Sequence, residues 1–326
     1  MSHRTFWVVM FCCFLLSMVN GNGLAQGTYP ERPIQALVSY APGGSTDSGA
    51  RVIAEYMQKY LKQPFLIVNK PGGGSSIAGN ELFRSKPDGY TLGMFTSAPT
   101  TPEYTMNPQN FIYKTKDLQP VAEWSKNLTV FLSRYDAPWK SIEELIKHAK
   151  ANPSKLVWSH AGRGNRDWIE GTLFVGQAGI KMLDVPFQGA ADSMTALLGG
   201  NVDVVVTSYG GVTIGQMEAK KIRALAISDE KRSSVLPDVP TLKELGYEIG
   251  TPENYLGMFA PKGTPAEVLQ KLNEAVLKAT QDPEVQQKLA KIGLAASYKN
   301  AKDLEQLVDN FGKFQFKILK ELGVLK

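Results

Sequence analysis

The chain has 326 residues, of which 43% are hydrophobic and 21% charged, with a formal charge of +5; this is ordinary globular material for one large or two medium domains and excludes a disordered tail. Lys and Arg are scattered rather than clustered, and no basic run is interleaved with aromatics, so the composition argues against a nucleic-acid or membrane surface. The mild positive balance suits a small acidic ligand.

Residues 1–25 have the pattern of a cleaved signal peptide: a short n-region with His3 and Arg4, an apolar run over 6–19, and the small-residue end Gly23-Leu24-Ala25. The apolar run falls short of the roughly 20 residues a bilayer-spanning helix needs, and no second one follows. Cleavage near Ala25 predicts a secreted protein, takes the charge from +5 to +4 by removing Arg4, and removes both cysteines, Cys12 and Cys13. The mature chain then has no disulfide, no thiolate nucleophile and no Cys-ligated metal. No Cys stands at the cleavage point to take a lipid anchor.

Strands and helices then alternate. Residues 34–40, held between Pro33 and Pro42, predict a buried strand. Ser39-Tyr40-Ala41-Pro42-Gly43-Gly44-Ser45-Thr46-Asp47 turns into a helix whose buried face is Ala50, Ile53, Ala54, Met57 and Leu61. This corner brings a helix N-terminus to a strand end, where free N–H groups and the macrodipole attract an anion; equally, it is a tight turn with Ser45 or Asp47 as N-cap. Strand 65–69, the turn Lys70-Pro71-Gly72-Gly73-Gly74, helix 77–84, the turn Pro87-Asp88-Gly89 and strand 90–95 follow. Such repeated units imply a parallel sheet with helices on its faces, and ligands of such sheets sit at the strands' carboxyl ends. The loops there, 40–47, 71–76 and 96–100, are rich in Gly, Ser and Thr.

Extended pieces 121–124 and 128–132 lead into a second set. Ser141 with Glu144 forms a capping box for a helix to about residue 151. Strand 155–159, helix 168–178, strand 182–187, helix 190–198 and strands 202–206 and 222–227 come next, then an extended piece over 254–260. Thr264 is read as the cap of helix 265–280, and helices 283–292 and 301–322 close the chain, packing back on the first lobe. The predicted fold class is α/β with two hinged lobes: signal peptide 1–25, lobe 1 over 26–122 and 255–326, lobe 2 over 123–254. Two crossings between lobes make a hinge, and a ligand cleft lies between them.

Catalytic chemistry finds little support. A Ser-His-Asp triad would have to use His148 or His160. His148 lies within a helix; His160, in Ser159-His160-Ala161-Gly162-Arg163-Gly164-Asn165, follows a predicted strand and so stands at the cleft. Ser45 or Ser159 with His160 is the alternative reading as a secreted hydrolase, but no G-x-S-x-G elbow is present and Ser45, Asp47 and His160 belong to opposite lobes. There is no zinc, calcium or P-loop motif, so neither metal nor cofactor is expected. Arg163 and Arg166 are able to pair with a carboxylate or to be solvated rim charges, and Trp168 is either core or cleft wall.

Several stretches together resemble one family. They are Tyr29-Pro30 with Arg32-Pro33-Ile34, Ala41-Pro42-Gly43-Gly44 with Asp47, Val68-Asn69-Lys70-Pro71-Gly72, Pro87-Asp88-Gly89-Tyr90, Val185-Pro186-Phe187-Gln188-Gly189, Leu198-Gly199-Gly200-Asn201-Val202-Asp203, Leu236-Pro237-Asp238-Val239-Pro240-Thr241 and Phe259-Ala260-Pro261-Lys262-Gly263-Thr264-Pro265. In order and across nearly the whole mature chain, these resemble the extracytoplasmic solute receptors of tripartite tricarboxylate transporters, the Bug or TctC type. The resemblance implies a type II periplasmic-binding-protein fold without catalytic activity. Such a protein closes as a monomer around a small organic acid, aromatic or aliphatic, and hands it to membrane permease subunits; a sensor role for a signalling partner is a variant of the same reading. It implies ligand contacts from Pro42, Gly43, Gly44, Ser45, Thr46 and Asp47 and from Gly73, Gly74 and Ser75; the position of the loops at the strands' carboxyl ends adds Tyr40 and Ser97 as candidates. From the opposite lobe it implies Ser159, His160, Gly162, Arg163, Asn165, Phe187, Gly189, Ala190 and Asp203; Arg166 is a candidate on its own chemistry. Family members often carry a His-Leu pair after the glycine loop, where this chain has Arg166-Asp167-Trp168.

Overall fold

A computed structural model describes residues 29–163, 165–187, 189–249 and 251–325; the expected signal peptide lies outside the described residues. Among these, no helix is long and apolar enough to cross a membrane.

The first lobe opens with β1 (Ile34–Val38), α1 (Ser45–Leu61), β2 (Phe65–Asn69), α2 (Ser76–Arg84), β3 (Thr91–Phe95), the short α3 (Ser97–Thr100) and β4 (Leu118–Lys126). The second contributes β5 (Thr129–Arg134), α4 (Ile142–Ala151), β6 (Val157–His160), α5 (Arg166–Gln177), β7 (Leu183–Pro186), α6 (Ala190–Leu198), β8 (Val204–Ser208), α7 (Gly211–Glu218) and β9 (Ile222–Ser228). The chain then returns through β10 (Tyr255–Pro261), α8 (Ala266–Gln281), α9 (Pro283–Lys291), β11 (Ala295–Asn300) and α10 (Ala301–Glu321).

Two sheets result, ordered β11-β4-β10-β3-β1-β2 and β7-β6-β8-β5-β9. β1 pairs in parallel with both β2 and β3, and β6 in parallel with β7 and β8. The carboxyl ends of each trio therefore lie side by side, which gathers the loops that follow them. The sheets are mixed, because β10 and β5, the strands entered at the crossings, run antiparallel to their neighbours.

Each sheet is covered on both faces, as the apolar runs of its strands require. On the first, α1 buries Ala50, Ile53, Ala54, Met57 and Leu61 against Ile34, Leu92 and Trp124, joined by Leu272 and Val276 of α8 and by Val285 and Leu289 of α9. Its other face packs Ala78 and Leu82 of α2 with Leu304, Val308 and Phe311 of α10. The second sheet carries α4 and α5 on one face and α6 on the other.

Several sequence expectations are corrected. β4 stays in the first sheet to Lys126, paired with β10 at Lys126↔Tyr255, so the crossing falls at Asn127 rather than between 122 and 123. α7 and β11 were not anticipated: Gly211-Val-Thr-Ile-Gly215 is glycine-interrupted, and β11 is an edge strand, partly exposed along its length and without apolar alternation, whose partner β4 lies far away in sequence. Thr264 does not cap α8; its buried hydroxyl donates to the Pro261 carbonyl at 2.8 Å, and Pro265 holds the N-cap position. Ser141 accepts from the Glu144 N–H, but Glu144 returns to Lys140 N–H, so the capping box is displaced by one residue. The last helix belongs to both lobes. Its first half packs on the first sheet, whereas Ile318 and Leu319 are buried in the core of the second, because a helix of 21 residues, about 30 Å long, outruns the lobe that starts it.

Candidate ligand cleft

The central corner is β1, its turn and α1. Gly43 takes φ +89°, a conformation that favours glycine, and Gly44 occupies the N-cap with no side-chain cap. The first N–H groups of α1 are thus left to water or to a ligand. Asp47, expected as a cap or a contact, is turned away from that position. Its Oδ2 accepts from Gly43 N–H at 2.9 Å and Arg51 Nε at 3.1 Å, and its Oδ1 accepts from Asn69 Nδ2 at 2.9 Å and pairs with Arg51 Nη2 at 3.0 Å. Burial works against the charge, yet the hydrogen bonds from Arg51, Gly43 and Asn69 outweigh it and hold the carboxyl below its ordinary range. Asp47 is therefore a brace for the corner.

The neighbouring loops are tied to this brace. Asn69, at the end of β2, also donates to the Tyr40 carbonyl at 3.0 Å. Beyond it Gly72, Gly73, Gly74 and Ser75 run at positive φ, and α2 starts, like α1, without a side-chain cap. On the other side of β1 the Tyr40 hydroxyl bonds Thr96 Oγ1 at 2.8 Å, and Ser97 begins α3, again uncapped. Tyr40, Pro42, Gly43, Gly44, Gly73 and Gly74 are exposed, Ser45 and Ser97 half-buried, and Thr46, Asp47 and Ser75 buried. The structure brings together every first-lobe residue the sequence singled out.

In the second lobe His160 is fully buried. Gly162 N–H donates to its Nδ1 at 3.1 Å, so Nε2 carries the proton shared with Asp184 Oδ1 at 2.7 Å. Ser159, on the opposite strand face, bonds Ser193 at 2.7 Å, and Ser45 lies 3.5 Å from Asn127 Nδ2. No Ser–His pair is assembled from either serine, which removes the hydrolase geometry. Ser159 and His160 hold the loop in place from beneath it. Asp184 also receives Trp168 Nε1 at 3.3 Å and Arg163 Nη2 at 2.8 Å, which leaves Arg163 a rim residue with 56% of its side chain exposed. Trp168 is core.

Asn165 caps α5 by accepting from Trp168 N–H at 2.9 Å. Phe187, Gly189 and Ala190 border the neighbouring α6, whose N-cap Gly189 offers no side chain. Arg166, the first residue of α5, has only 9% of its side chain exposed and pairs with the fully buried Glu170 at 2.8 Å. Burial first, then Glu170, push the adjacent Asp167 carboxyl up to about 7 against the opposing pull of Arg166. Asp203 does not reach the cleft. It precedes β8 and accepts Val157 N–H at 2.8 Å at the opposite, amino-terminal end of the sheet.

The lobes meet below these loops. Gly210, after β8, approaches so closely that an added Cβ would stand 3.2 Å from Ser45 Cβ, and a Cβ on Gly293 would lie 2.9 Å from Gly210 Cα. The two crossing segments are joined by Asn127 N–H to the Asn254 carbonyl at 2.8 Å, and Lys126 pairs with Asp229 of the second lobe at 3.1 Å. Sequence reasoning passed over Asn69, Asn127, Gly210 and Phe311, whose roles come from contacts distant in the chain.

The chain is similar to known proteins over most of its length. Residues 49–324 match the model of the tripartite tricarboxylate transporter family receptor. Protein BugT of Bordetella pertussis is 32% identical over 267 residues, covering 82% of each chain. MatC of Rhodopseudomonas palustris, solved with bound malate, is 28% identical at a TM-score of 0.75, covering 89% of this chain and 100% of its own. A second R. palustris protein, solved with adipate, is 26% identical at a TM-score of 0.81, covering 90% and 98%. The expected two-lobed binding-protein fold is thus present, and with it a receptor's role rather than an enzyme's. The chain belongs to the tripartite tricarboxylate transporter receptor family of periplasmic solute-binding proteins.

Proposed function

We propose that this receptor captures a small organic carboxylate between its lobes by hinge closure and delivers it to the membrane permease subunits of a tripartite tricarboxylate-type transporter. The observation that carries the reading is the convergence of three uncapped helix starts, α1, α2 and α3, at the adjoining carboxyl ends of β2, β1 and β3. One ligand carboxylate accepts from the amides around Gly44, Ser45 and Thr46 and from that of Gly74, the Ser75 N–H being engaged by the Gly72 carbonyl. Closure pivots at the paired segments Asn127 and Asn254 and brings Gly162, Arg166, Phe187 and Ala190 of the second lobe toward the remainder of the ligand. The closed form gains because the ligand touches both lobes only there. The malate and adipate held by two relatives support a carboxylate.

The test is a thermal-shift screen of the mature chain against mono-, di- and tricarboxylates, followed by calorimetry. A ligand at a hundred times its Kd stabilises by about 2.7 kcal/mol, and a flat response to every acid refutes the reading. The N-terminal sequence of the exported protein tests cleavage near Ala25, and co-purification with the permease subunits tests delivery.

A further inference from the structure

Of the two arginines in the second-lobe loop, one is committed and one is not. Arg163 is exposed and held by Asp184. Arg166 is buried and uses only Nη2, toward Glu170 Oε1, while its Nε and Nη1 have no acceptor among the described residues. Its guanidinium carbon stands 5.6 Å from the ring centroid of Phe311, which belongs to the first-lobe half of α10. Phe311 packs edge-on against Tyr255, whose hydroxyl bonds Thr100 Oγ1 at 2.5 Å in α3. The unfilled donors therefore lie between the lobes, on the side of the third first-lobe loop. A buried guanidinium with unmade hydrogen bonds is costly; Nε–H points along the edge that Nη2 shares with Glu170, whereas Nη1 lies on the other side and is free to donate to an oxygen acceptor of its own.

We propose that Arg166 is the specificity-determining residue of the cleft, giving Nη1 to an oxygen acceptor at the far end of the ligand, either a second carboxylate or a neutral carbonyl. This rests on the carboxylate-capture reading. Glu170 already balances the guanidinium charge, so the cluster accepts either form of that group. A ligand whose far end is apolar leaves Nη1 unpaired when the lobes close, and closure around it is disfavoured. The side chain thus links what is bound to whether the cleft shuts.

Calorimetry on the full mature chain tests this with succinate, adipate and suberate, their monoamides, and the matching monoacids. The wild type is expected to bind the preferred diacid or monoamide about tenfold or more tightly than its monoacid. Arg166→Met should lose about tenfold for the first two and much less for the monoacid, and Arg166→Lys should regain part of the loss. Because Arg166→Met leaves Glu170 unpaired, the same ratios are read on the Arg166→Met/Glu170→Gln double variant. Tighter diacid than monoamide identifies a carboxylate as the acceptor, and equal binding a neutral carbonyl. A wild type that binds monoacids as tightly as the others, or variants that lose the same factor for all probes, overturn the Arg166 assignment alone. A wild type that binds no probe overturns carboxylate capture and this assignment with it.

Discussion

Asp47→Asn tests the corner without touching the amides assigned to the ligand. Both carboxylate oxygens are in use: Oδ1 faces Asn69 Nδ2 and Arg51 Nη2, and Oδ2 faces Gly43 N–H and Arg51 Nε. An asparagine has one acceptor oxygen, so in either orientation its amide nitrogen meets a donor. The Arg51 pair is half exposed on its basic side and is discounted for solvent screening. The variant keeps either the Gly43 or the Asn69 bond and loses the other, a bond to an ionised oxygen worth about 1.5–3 kcal/mol at neutral pH. The sign with pH follows from the lowered carboxyl: its contribution is present above the unfolded value near 3.9 and is lost as pH falls through the folded one. Urea unfolding should therefore separate wild type from variant at pH 7 and bring them together in strong acid. Calorimetry should show affinity reduced about tenfold or more, since a loosened Gly43-Gly44 turn no longer presents its amides together. Unchanged affinity in a stably folded variant refutes the brace and, with it, the corner as the carboxylate site.

Three further outcomes follow from other contacts. Gly210→Val puts a branched side chain where even a Cβ stands 3.2 Å from Ser45; small-angle scattering should show incomplete contraction with ligand, and calorimetry about a tenfold weaker Kd. Asp167→Asn should flatten the pH dependence of stability: with the folded carboxyl raised to about 7 and the unfolded one near 3.9, wild-type stability falls as pH rises through that window, by on the order of a few kcal/mol. Urea unfolding at pH 5 and pH 8 measures the difference. Leu319→Ala, at a fully buried position in the second core, should cost about 2–5 kcal/mol and release the tail of α10; a single unshifted thermal transition contradicts the bridging role of that helix.

Local patterns in the chain foretold most of the architecture because they are written in neighbouring residues. The apolar stripe of α1, the proline-bounded β1 and the glycine turns before α2 and after β6 each carry their own signal. What stayed hidden depends on partners far along the chain. β11 becomes a strand only because β4 offers it an edge, and α10 changes lobes only because Ile318 and Leu319 find the second core. Asp203 is a contact on the family resemblance alone, yet the parallel register of β6 and β8 puts it at the opposite end of the sheet from the cleft loops. His160 stands where a base would stand, but Gly162 and Asp184 occupy both ring nitrogens.

The same division applies to recognition. The first-lobe corner is assembled mainly from backbone amides, with its acid turned inward as a brace, so it suits any carboxylate and discriminates poorly among them. Selectivity has to come from side chains that reach the ligand only on closure. Among the second-lobe residues, Ser159 and His160 are buried supports, Asn165 is spent on a cap, and Arg163 is held at the rim. Arg166 keeps donors in reserve between the lobes, in the stretch where this chain departs from the family's His-Leu pattern. On the proposed reading, a corner of amides holds the generic end of an acid and the Arg166 guanidinium meets the other end, so what this chain closes upon is set in its second lobe.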